Sequence, residues 1–226
     1  MLVTACFETY NVGAMANPVS FQREIEIKLD LGSFMNYLKL MGFLGQIDSE
    51  SRQENAFFDT EDRRLAAAGW ALRVRAERDL GLVTLKGLRT DVGGAAVREE
   101  LETVIPRGRA IDCMNLAFDV IHLTVPPVEF VRQQFGELAL ALLVRFDNVR
   151  QCKNFRMGDR DYLLEIDKTE FSDGSVDYEL EMELPNTDVI EAASDSLRKL
   201  FGSLDIPYRP QPQGKFVRAL QKAGLG

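Results

Sequence analysis

The feature that most constrains the fold of this chain is a strict alternation of charged and apolar residues that recurs in one segment after another. In residues 23–29, REIEIKL, the polar positions are Glu24, Glu26 and Lys28, and apolar residues separate them. A period of two is typical of a β-strand whose two faces meet different surroundings. At least five strand-like segments carry the pattern, and their polar faces consist almost entirely of Asp, Glu, Arg and Lys.

The order of the predicted elements favours an α+β fold. Strands are predicted over residues 23–29, 54–60, 70–78, 81–87, 97–105, 138–155, 160–171 and 175–184. Helices are expected after Ser33, as a short turn ending at Gly69, within residues 107–135, over 188–202 and around 214–224. The segment 89–96 is expected to be a turn or a flexible loop because of Asp91, Gly93 and Gly94. Consecutive strands with few crossover-length connections favour an antiparallel sheet.

The charged strand faces need an explanation. For residues 24–28 alone, a charged face in contact with solvent is the simpler interpretation. Its repetition favours a closed barrel with the charged faces inside, the apolar faces outside and helices packed over them. Carboxylates crowded in such an interior need cations or basic side chains to neutralise them. Divalent metals bind carboxylates and basic side chains bind phosphates, so the pattern suits a metal-bound polyphosphate.

Length and composition narrow the setting. With 226 residues and 46% hydrophobic content, we expect a single domain over residues 21–226. Residues 1–20 are interpreted as a disordered N-terminal extension. Since Met15 stands just before the first patterned segment, the first fourteen residues are alternatively interpreted as a consequence of start-codon choice. Neither a secretory signal nor a membrane-spanning stretch is found, so a soluble protein without membrane association is expected.

Charge and cysteine usage point to the cytoplasm and away from nucleic acid. A net charge of −8 disfavours binding to a phosphate backbone. The three cysteines are widely spaced and give no reason to predict a disulfide framework or a structural zinc site: Cys6, Cys113 and Cys152. We therefore expect a cytoplasmic protein with a small-molecule partner, and the possibility of a homodimer stays open.

Several motifs in sequence order resemble one known family. EIEIK, residues 24–28, has the form of the ExExK motif of the CYTH family, the triphosphate tunnel metalloenzymes. GWALRVR resembles the family's arginine-bearing strand, VTLKG its lysine strand and VREEL its central acidic strand. LLEID with YELEMEL resembles the C-terminal acidic strands, and GKFVRAL the final lysine helix. The resemblance extends from about residue 21 to residue 220.

The resemblance implies an eight-stranded antiparallel tunnel that requires Mg²⁺ or Mn²⁺. Members hydrolyse inorganic triphosphate, thiamine triphosphate or nucleoside triphosphates, or they cyclise ATP. The leading hypothesis is a metal-dependent hydrolase of inorganic or small organic triphosphates. The alternatives are an adenylyl cyclase of the class IV type, a thiamine triphosphatase, and a non-catalytic module that binds polyphosphate or nucleotide.

The family's site residues carry over by motif position. The metal-binding carboxylates implied are Glu24, Glu26, Asp167, Glu179 and Glu181. The phosphate-binding residues implied are Lys28, Arg73, Arg75, Lys86, Arg150 and Lys215. The residues implied in catalysis are Glu26, Glu100, Asp167 and Glu179. One metal is assigned to Glu24, Glu26 and Glu181, and a second, weaker site to Asp167, Glu179 and Glu100.

Two of these assignments have alternatives. Glu99 and Glu102 are close enough to Glu100 to leave the register of the central acidic strand open. Arg145 is the alternative to Arg150.

Overall fold

A computed structural model of the chain describes residues 20–226. In this part of the chain there are nine strands: β1 Gln22–Asp30, β2 Ser49–Asp59, β3 Ala71–Glu77, β4 Leu80–Lys86, β5 Thr90–Val92, β6 Ala95–Pro106, β7 Ala141–Met157, β8 Arg160–Phe171 and β9 Val176–Glu183. The same residues form six α-helices: α1 Phe34–Leu44, α2 Arg64–Ala67, α3 Arg107–Met114, α4 Pro126–Phe135, α5 Ile190–Ser203 and α6 Lys215–Lys222.

The strands form one sheet whose order closes on itself. The order is β1-β9-β8-β7-β2-β3-β4-β6-β5, and β1 also pairs with β6, so eight strands follow one another in a ring. Neighbours such as β8 and β9, or β3 and β4, are antiparallel. The predicted α+β fold, with a closed eight-stranded antiparallel barrel, is therefore confirmed.

The ninth strand, β5, was not predicted. Residues Thr90–Val92 pair with Ala95–Val97, which leaves Gly93 and Gly94 as a two-residue turn. Both glycines have positive φ angles, 58° and 88°. Two-residue hairpin turns of this kind favour glycine because it adopts positive φ without a steric penalty. The turn was expected. The short strand was not predicted because the glycines led us to assign the whole segment 89–96 to a loop.

One compact unit comprises, of the described residues, 20–24, 55–89 and 98–144. Strands β3 and β4 bury one apolar face against helices α3 and α4, through residues that include Leu72, Val74, Val83 and Leu85. Helix α3 comes close to β4 at Gly81, where an added Cβ atom would lie 2.5 Å from the Cβ of Ala110. A larger residue at position 81 would force the helix away from the strand.

The second compact unit comprises residues 25–54, 90–97 and 145–226. Apolar residues of β1, β8 and β9 pack with helix α5 in a core that includes Ile27, Leu29, Ile166, Leu180 and Phe201. Each fully buried aliphatic side chain contributes about 1.5–3 kcal/mol relative to an exposed one. The alternate residues of β1, Glu26 and Lys28, project from its other face and are also buried, at 2% and 7% exposure.

Two helices, α1 and α4, begin at residues that the sequence marks as helix starts. The Ser33 hydroxyl accepts a hydrogen bond from the backbone N–H of Asn36 at 3.2 Å and so caps α1. The region 107–135 contains two α-helices, and Pro126 opens the second of them at a position where no backbone N–H is needed.

Two expectations concern the chain as a whole. Among residues 20–226, no helix combines the length and the apolar character needed to cross a membrane. The assignment of residues 21–226 to one domain stays a prediction, and the expected extension over residues 1–20 lies outside the described residues apart from Ser20.

Candidate active site

Strand register in the second unit places charged residues of β7, β8 and β9 side by side. Arg150 lies opposite Asp167, and Asp167 lies opposite Glu179. Two residues along the same face, Glu165 lies opposite Glu181. We call this face and the basic residues in contact with it the β8–β9 cluster, which consists of Glu165, Asp167, Glu179, Glu181, Lys28, Arg150, Lys215 and Arg218.

The ammonium group of Lys215, at the start of α6, lies where three carboxylates converge. Its Nζ atom is 2.8 Å from Asp167 Oδ2 and 2.8 Å from Glu181 Oε1, and it also donates to Glu179 Oε1. Ligand atoms of the three carboxylates lie within 4.8 Å of one another. Among residues 20–226 they form the one group of acidic, histidine or cysteine side chains close enough to share a metal ion.

Arg150, on the neighbouring strand β7, binds two of these carboxylates, Asp167 and Glu181. Its Nε donates to Asp167 Oδ1 at 2.9 Å and its Nη2 to Asp167 Oδ2 at 2.6 Å, a bidentate pair. The guanidinium also contacts Glu181 at 2.5 Å and pairs with Glu165. The alternative arginine, Arg145, is exposed. Arg150 is thus the arginine of β7 that contacts the acidic residues of the β8–β9 cluster.

Lys28 of the ExExK motif contacts the cluster from β1. Its ammonium group donates to Glu181 Oε1 at 2.5 Å and lies 3.0 Å from a carboxylate oxygen of Glu26. All three side chains are buried. The motif therefore places one acidic and one basic side chain of β1 in the same buried surroundings as Glu181.

Ion pairing keeps two carboxylates of the cluster ionised. Burial alone would raise the pKa of Glu181, but Lys215, Lys28 and Arg150 outweigh it and hold that pKa well below its usual range. Burial likewise opposes ionisation of Asp167, where Arg150 and Lys215 prevail and lower the pKa. Both residues are therefore negatively charged throughout the physiological range.

The other two carboxylates of the cluster respond differently. Burial raises the pKa of Glu165 to about 7, even though Arg150 pairs with it. Burial also raises the pKa of Glu179, against the opposing effect of Lys215. Two carboxylates of the same cluster thus retain protons more readily than an exposed glutamate.

A separate set of charged residues lies in the first unit, and we call Glu24, Lys86, Arg98 and Glu100 the β4–β6 cluster. Lys86 lies opposite Glu100 in the sheet, donates to it, and lies 3.6 Å from Glu24. Arg98 Nε donates to Glu24 Oε2 at 2.7 Å. Burial raises the pKa of Glu100 to about 6; Lys86 opposes this effect and Glu24 adds to it. Burial also lowers the pKa of Lys86.

The structure separates the three candidates for the central acidic residue of β6. Glu100 pairs with Lys86, whereas Glu99 is exposed. Glu102 lies farther along the strand and is also exposed. Glu100 is therefore the acidic residue of this strand that belongs to the β4–β6 cluster.

The two arginines of β3 share a face but contact different partners. Arg73 donates to the buried Thr84 hydroxyl at 3.0 Å and lies 3.3 Å from Glu102. Arg75 donates from Nε to Asn55 Oδ1 at 2.9 Å. Both lie in the first unit, and their predicted role as phosphate ligands stays a prediction.

One sequence assignment grouped the carboxylates differently. Glu181 was expected to share a metal with Glu24 and Glu26, and this assignment stays a prediction, since the Lys28 ammonium contacts both Glu26 and Glu181. Glu181 also converges with Asp167 and Glu179, which the sequence assigned to a different site. The reason is that Glu179 and Glu181 occupy alternate positions on β9, and the antiparallel register sets Asp167 directly opposite Glu179. This register is a long-range property that motif order does not reveal.

Three charged residues of the two clusters were missed. Glu165 and Arg98 each lie two residues from a predicted site residue, Asp167 and Glu100, so strand alternation could have found both. Arg218 has no such signal: it lies one helical turn beyond Lys215 on α6, where it donates to a carboxylate oxygen of β9 at 2.5 Å.

The three converging carboxylates fit a divalent cation. Mg²⁺ and Mn²⁺ both bind carboxylate oxygens. In the structure a cation, the Lys215 ammonium, already contacts one oxygen from each of the three side chains. Asp167, Glu179 and Glu181 are therefore the residues that could hold the predicted metal.

Comparison with known proteins agrees with the geometry. The model of the CYTH domain family matches residues 22–207, most of the chain. No curated protein matches the sequence.

Solved structures share the fold at low sequence identity. HpAC1 from Hippeastrum, described as a candidate adenylyl cyclase with a dominant triphosphatase activity, is 24% identical, with a TM-score of 0.76 over 88% of this chain and 95% of that one. A candidate adenylate cyclase from Bacillus halodurans is 21% identical, with a TM-score of 0.63 over 87% and 97%. The PH1819 protein from Pyrococcus horikoshii is 16% identical, with a TM-score of 0.58 over 88% and 99%.

Proposed function

The chain belongs to the CYTH domain family, and from that premise we propose that it is a hydrolase of inorganic or small organic triphosphates that depends on divalent metal ions. The observation that carries the proposal is the convergence of Asp167, Glu179 and Glu181 on one cation, amid further buried basic side chains. Carboxylates bind hard metal ions and basic side chains bind phosphoryl oxygens, so one cluster serves both parts of a metal-bound triphosphate.

Charge balance in the second unit supports joint binding of substrate and metal. Six acidic side chains face five basic ones there: Glu26, Glu165, Asp167, Asp177, Glu179 and Glu181 against Lys28, Arg150, Lys215, Arg218 and Lys222. If phosphoryl oxygens take up the basic groups, the carboxylates lose their counter-charges. An uncompensated buried carboxylate costs several kcal/mol. Divalent cations would restore the balance.

Asp167, Glu179 and Glu181 would hold such a cation, and Glu24 and Glu26 stay predicted ligands. When bound, a divalent metal supplies positive charge to the phosphoryl oxygens and orients a water molecule for in-line attack.

The basic residues of the cluster stabilise the transferred phosphoryl group. Arg150 presents two parallel N–H donors, the geometry that matches two phosphoryl oxygens. Lys28 and Lys215 act as compact point charges. Negative charge spreads over the equatorial oxygens in the transition state, and fixed donors that face those oxygens lower the barrier. Lys86, Arg73 and Arg75 stay predicted phosphate ligands of the first unit.

The protonation states favour activity at neutral to alkaline pH. Asp167 and Glu181 are ionised because basic neighbours lower their pKa values. Burial raises the pKa of Glu100 to about 6 and that of Glu165 to about 7. Only above these values does the protein have its full set of carboxylates available to cations.

An adenylyl cyclase is the second candidate. Two proteins of the same fold are described as candidate adenylyl cyclases. A cyclase would bind ATP through the same phosphate and metal ligands but direct the ribose hydroxyl at the α-phosphorus. Its products, cyclic AMP and pyrophosphate, distinguish it from a hydrolase. A thiamine triphosphatase and a non-catalytic polyphosphate-binding module are the remaining alternatives.

The decisive experiment measures phosphate, pyrophosphate and cyclic AMP released from tripolyphosphate, ATP and thiamine triphosphate, with Mg²⁺ or Mn²⁺ and with a chelator. We expect metal-dependent phosphate release that Asp167→Asn abolishes. The matched control is Asp161→Asn, an exposed aspartate of the same strand, 67% exposed, which should leave activity unchanged. Cyclic AMP from ATP would favour the cyclase, and the absence of every product would leave a binding module.

The same proposal includes a cytoplasmic location and a small-molecule triphosphate as partner, without nucleic acid or membrane. The thiols of Cys113 and Cys152 are free, which supports a reducing compartment.

A further inference from the structure

Beside the β8–β9 cluster lies a group of buried neutral polar residues that the proposed function has not used. Gln53 on β2, Asn148 on β7 and Thr169 on β8 are 3%, 2% and 0% exposed. Asn148 lies opposite Thr169 in the sheet, two residues from the pair of Arg150 and Asp167 on the same face. On this face of β7 and β8, a pair of uncharged polar residues therefore lies directly next to a pair of charged residues.

A hydrogen bond from Asn148 to Asp167 Oδ1 joins these polar residues to the β8–β9 cluster. The amide Nδ2 of Asn148 donates to Asp167 Oδ1 at 2.9 Å and to Gln53 Oε1 at 3.0 Å. The Thr169 hydroxyl donates to Asn148 Oδ1 at 2.9 Å. An ionised carboxylate only accepts hydrogen bonds, so the amide must direct its NH₂ group towards Asp167. Every polar atom of the Asn148 side chain thus has a partner, and its orientation is fixed.

We propose that Asn148 is a positioning residue for Asp167, an inference that rests on the proposed function. It holds Oδ1 of the carboxylate, while Oδ2 faces the Lys215 ammonium at the point where Glu179 and Glu181 converge. Terminal carboxylate torsions are broad and roughly two-fold, so an aspartate without such an anchor samples other orientations. The bond from Asn148 favours the orientation of Asp167 in which Oδ2 is available to bind a cation.

Asn148 can position Asp167 because its side chain is uncharged. Arg150 and Lys215 also bind Asp167, but a bound triphosphate would draw both cations towards its oxygens. The amide carries no charge, and Gln53 and Thr169 hold it in place. Its bond to Asp167 therefore persists when the ionic partners of the carboxylate are redistributed. Partners of metal-binding side chains typically contribute 10–100-fold to metal affinity or activity.

The test compares three variants by direct Mn²⁺ binding, measured from the electron paramagnetic resonance of free Mn²⁺. Asn148→Leu keeps the approximate size and removes the donor. Thr169→Val is isosteric and removes the bond that orients Asn148 without a contact to Asp167. Asn36→Leu makes the same substitution on α1, where the side chain bonds to the backbone carbonyl of Leu31, and serves as the matched control.

We expect Asn148→Leu to weaken Mn²⁺ binding about tenfold or more, and Thr169→Val about threefold, with Asn36→Leu unchanged. The Mg²⁺ concentration that half-saturates tripolyphosphate hydrolysis should rise by the same factors, a change that a purely structural defect would not produce. A folded Asn148→Leu protein with wild-type Mn²⁺ affinity would overturn the inference. If that variant does not fold, unchanged affinity in Thr169→Val overturns it instead.

The inference and the proposed function can fail separately. If the wild-type protein binds Mn²⁺ but hydrolyses no triphosphate, the proposed function fails, and the affinities of the variants still decide the role of Asn148. If the wild-type protein binds no Mn²⁺ even with a non-hydrolysable analogue of tripolyphosphate present, both are wrong.

Discussion

Replacing Lys215 by methionine tests whether three carboxylates converge on a position for a cation. The side chain of Lys215 is 12% exposed and its ammonium group contacts three acidic residues of the β8–β9 cluster. Removing one partner of a buried ion pair typically costs 3–5 kcal/mol. Each carboxylate keeps another basic partner, either Arg150 or Arg218. We therefore expect the free energy of unfolding to fall by about 3 kcal/mol, the lower end of that range.

The same substitution should make the protein more responsive to Mg²⁺. Without the ammonium group, a divalent cation has no competitor for the three carboxylates. A ligand at 100 times its dissociation constant stabilises the native state by about 2.7 kcal/mol. Millimolar Mg²⁺ should therefore recover most of the stability that Lys215→Met loses, while it stabilises the wild-type protein less.

Urea unfolding followed by circular dichroism, with Mg²⁺ or with EDTA, measures both effects. The control is Lys222→Met on the same helix, where the ammonium group lies 2.8 Å from Asp177 and the side chain is 23% exposed. A pair with this exposure contributes about 1 kcal/mol or less, and no Mg²⁺ response is expected. The reasoning is refuted if Lys215→Met is as stable as the control, or if Mg²⁺ stabilises it no more than the wild-type protein.

Three further predictions concern activity. Glu26→Ala should lower the rate of phosphate release about 100-fold or more because it removes a predicted metal ligand, whereas Glu54→Ala, at an exposed position of β2, should not; equal rates would refute the assignment. Because burial raises the pKa of Glu100 to about 6, this carboxylate gains a proton as the pH falls through that value, so kcat/KM should decrease about tenfold per pH unit below it. Glu100→Gln should have a lower plateau and lack that limb, and it should keep only the decrease below about pH 7 that Glu165 contributes, because burial raises the pKa of Glu165 to about 7. A wild-type profile that is flat between about pH 5 and pH 8 would contradict the reasoning. EDTA should abolish hydrolysis and added Mg²⁺ or Mn²⁺ should restore it; hydrolysis that persists in EDTA would exclude metal dependence.

Local patterns predicted the strands and their faces. The alternation of Glu24, Glu26 and Lys28 with apolar residues is visible within one segment because alternate side chains of a strand share a face. The structure buries the apolar residues of β1 in the core of the second unit and sets its charged residues on the other face. Ring closure depends on the pairing of β1 with β6, which the family resemblance implied and alternation alone did not.

Cross-strand partners required information that a single segment does not contain. Motif order assigned Glu181 to the carboxylates of β1, which stays a prediction, and it did not reveal that the register of β8 and β9 also sets Glu181 beside Asp167 and Glu179. Register depends on pairing between distant parts of the chain. The choice of Arg150 over Arg145 depended in the same way on which residue of β7 lies opposite Asp167.

The contacts of uncharged residues and of residues on helices could not be predicted from the sequence patterns. Asn148 carries no charge, so a search for charged alternation passed over it, although it donates to Asp167. Arg218 lies on a helix, where one face recurs every three to four residues, and its pairing with Glu179 depends on how α6 packs. Such contacts arise from tertiary packing.

The most direct test of the central claim is a crystal structure with Mn²⁺ and a non-hydrolysable analogue of tripolyphosphate, with anomalous data collected at the manganese edge. We predict an anomalous peak in contact with Asp167, Glu179 and Glu181, with the Lys215 ammonium moved from the carboxylates to a phosphoryl oxygen. A peak elsewhere, or no peak while Lys215 keeps its contacts with the three carboxylates, would contradict the account.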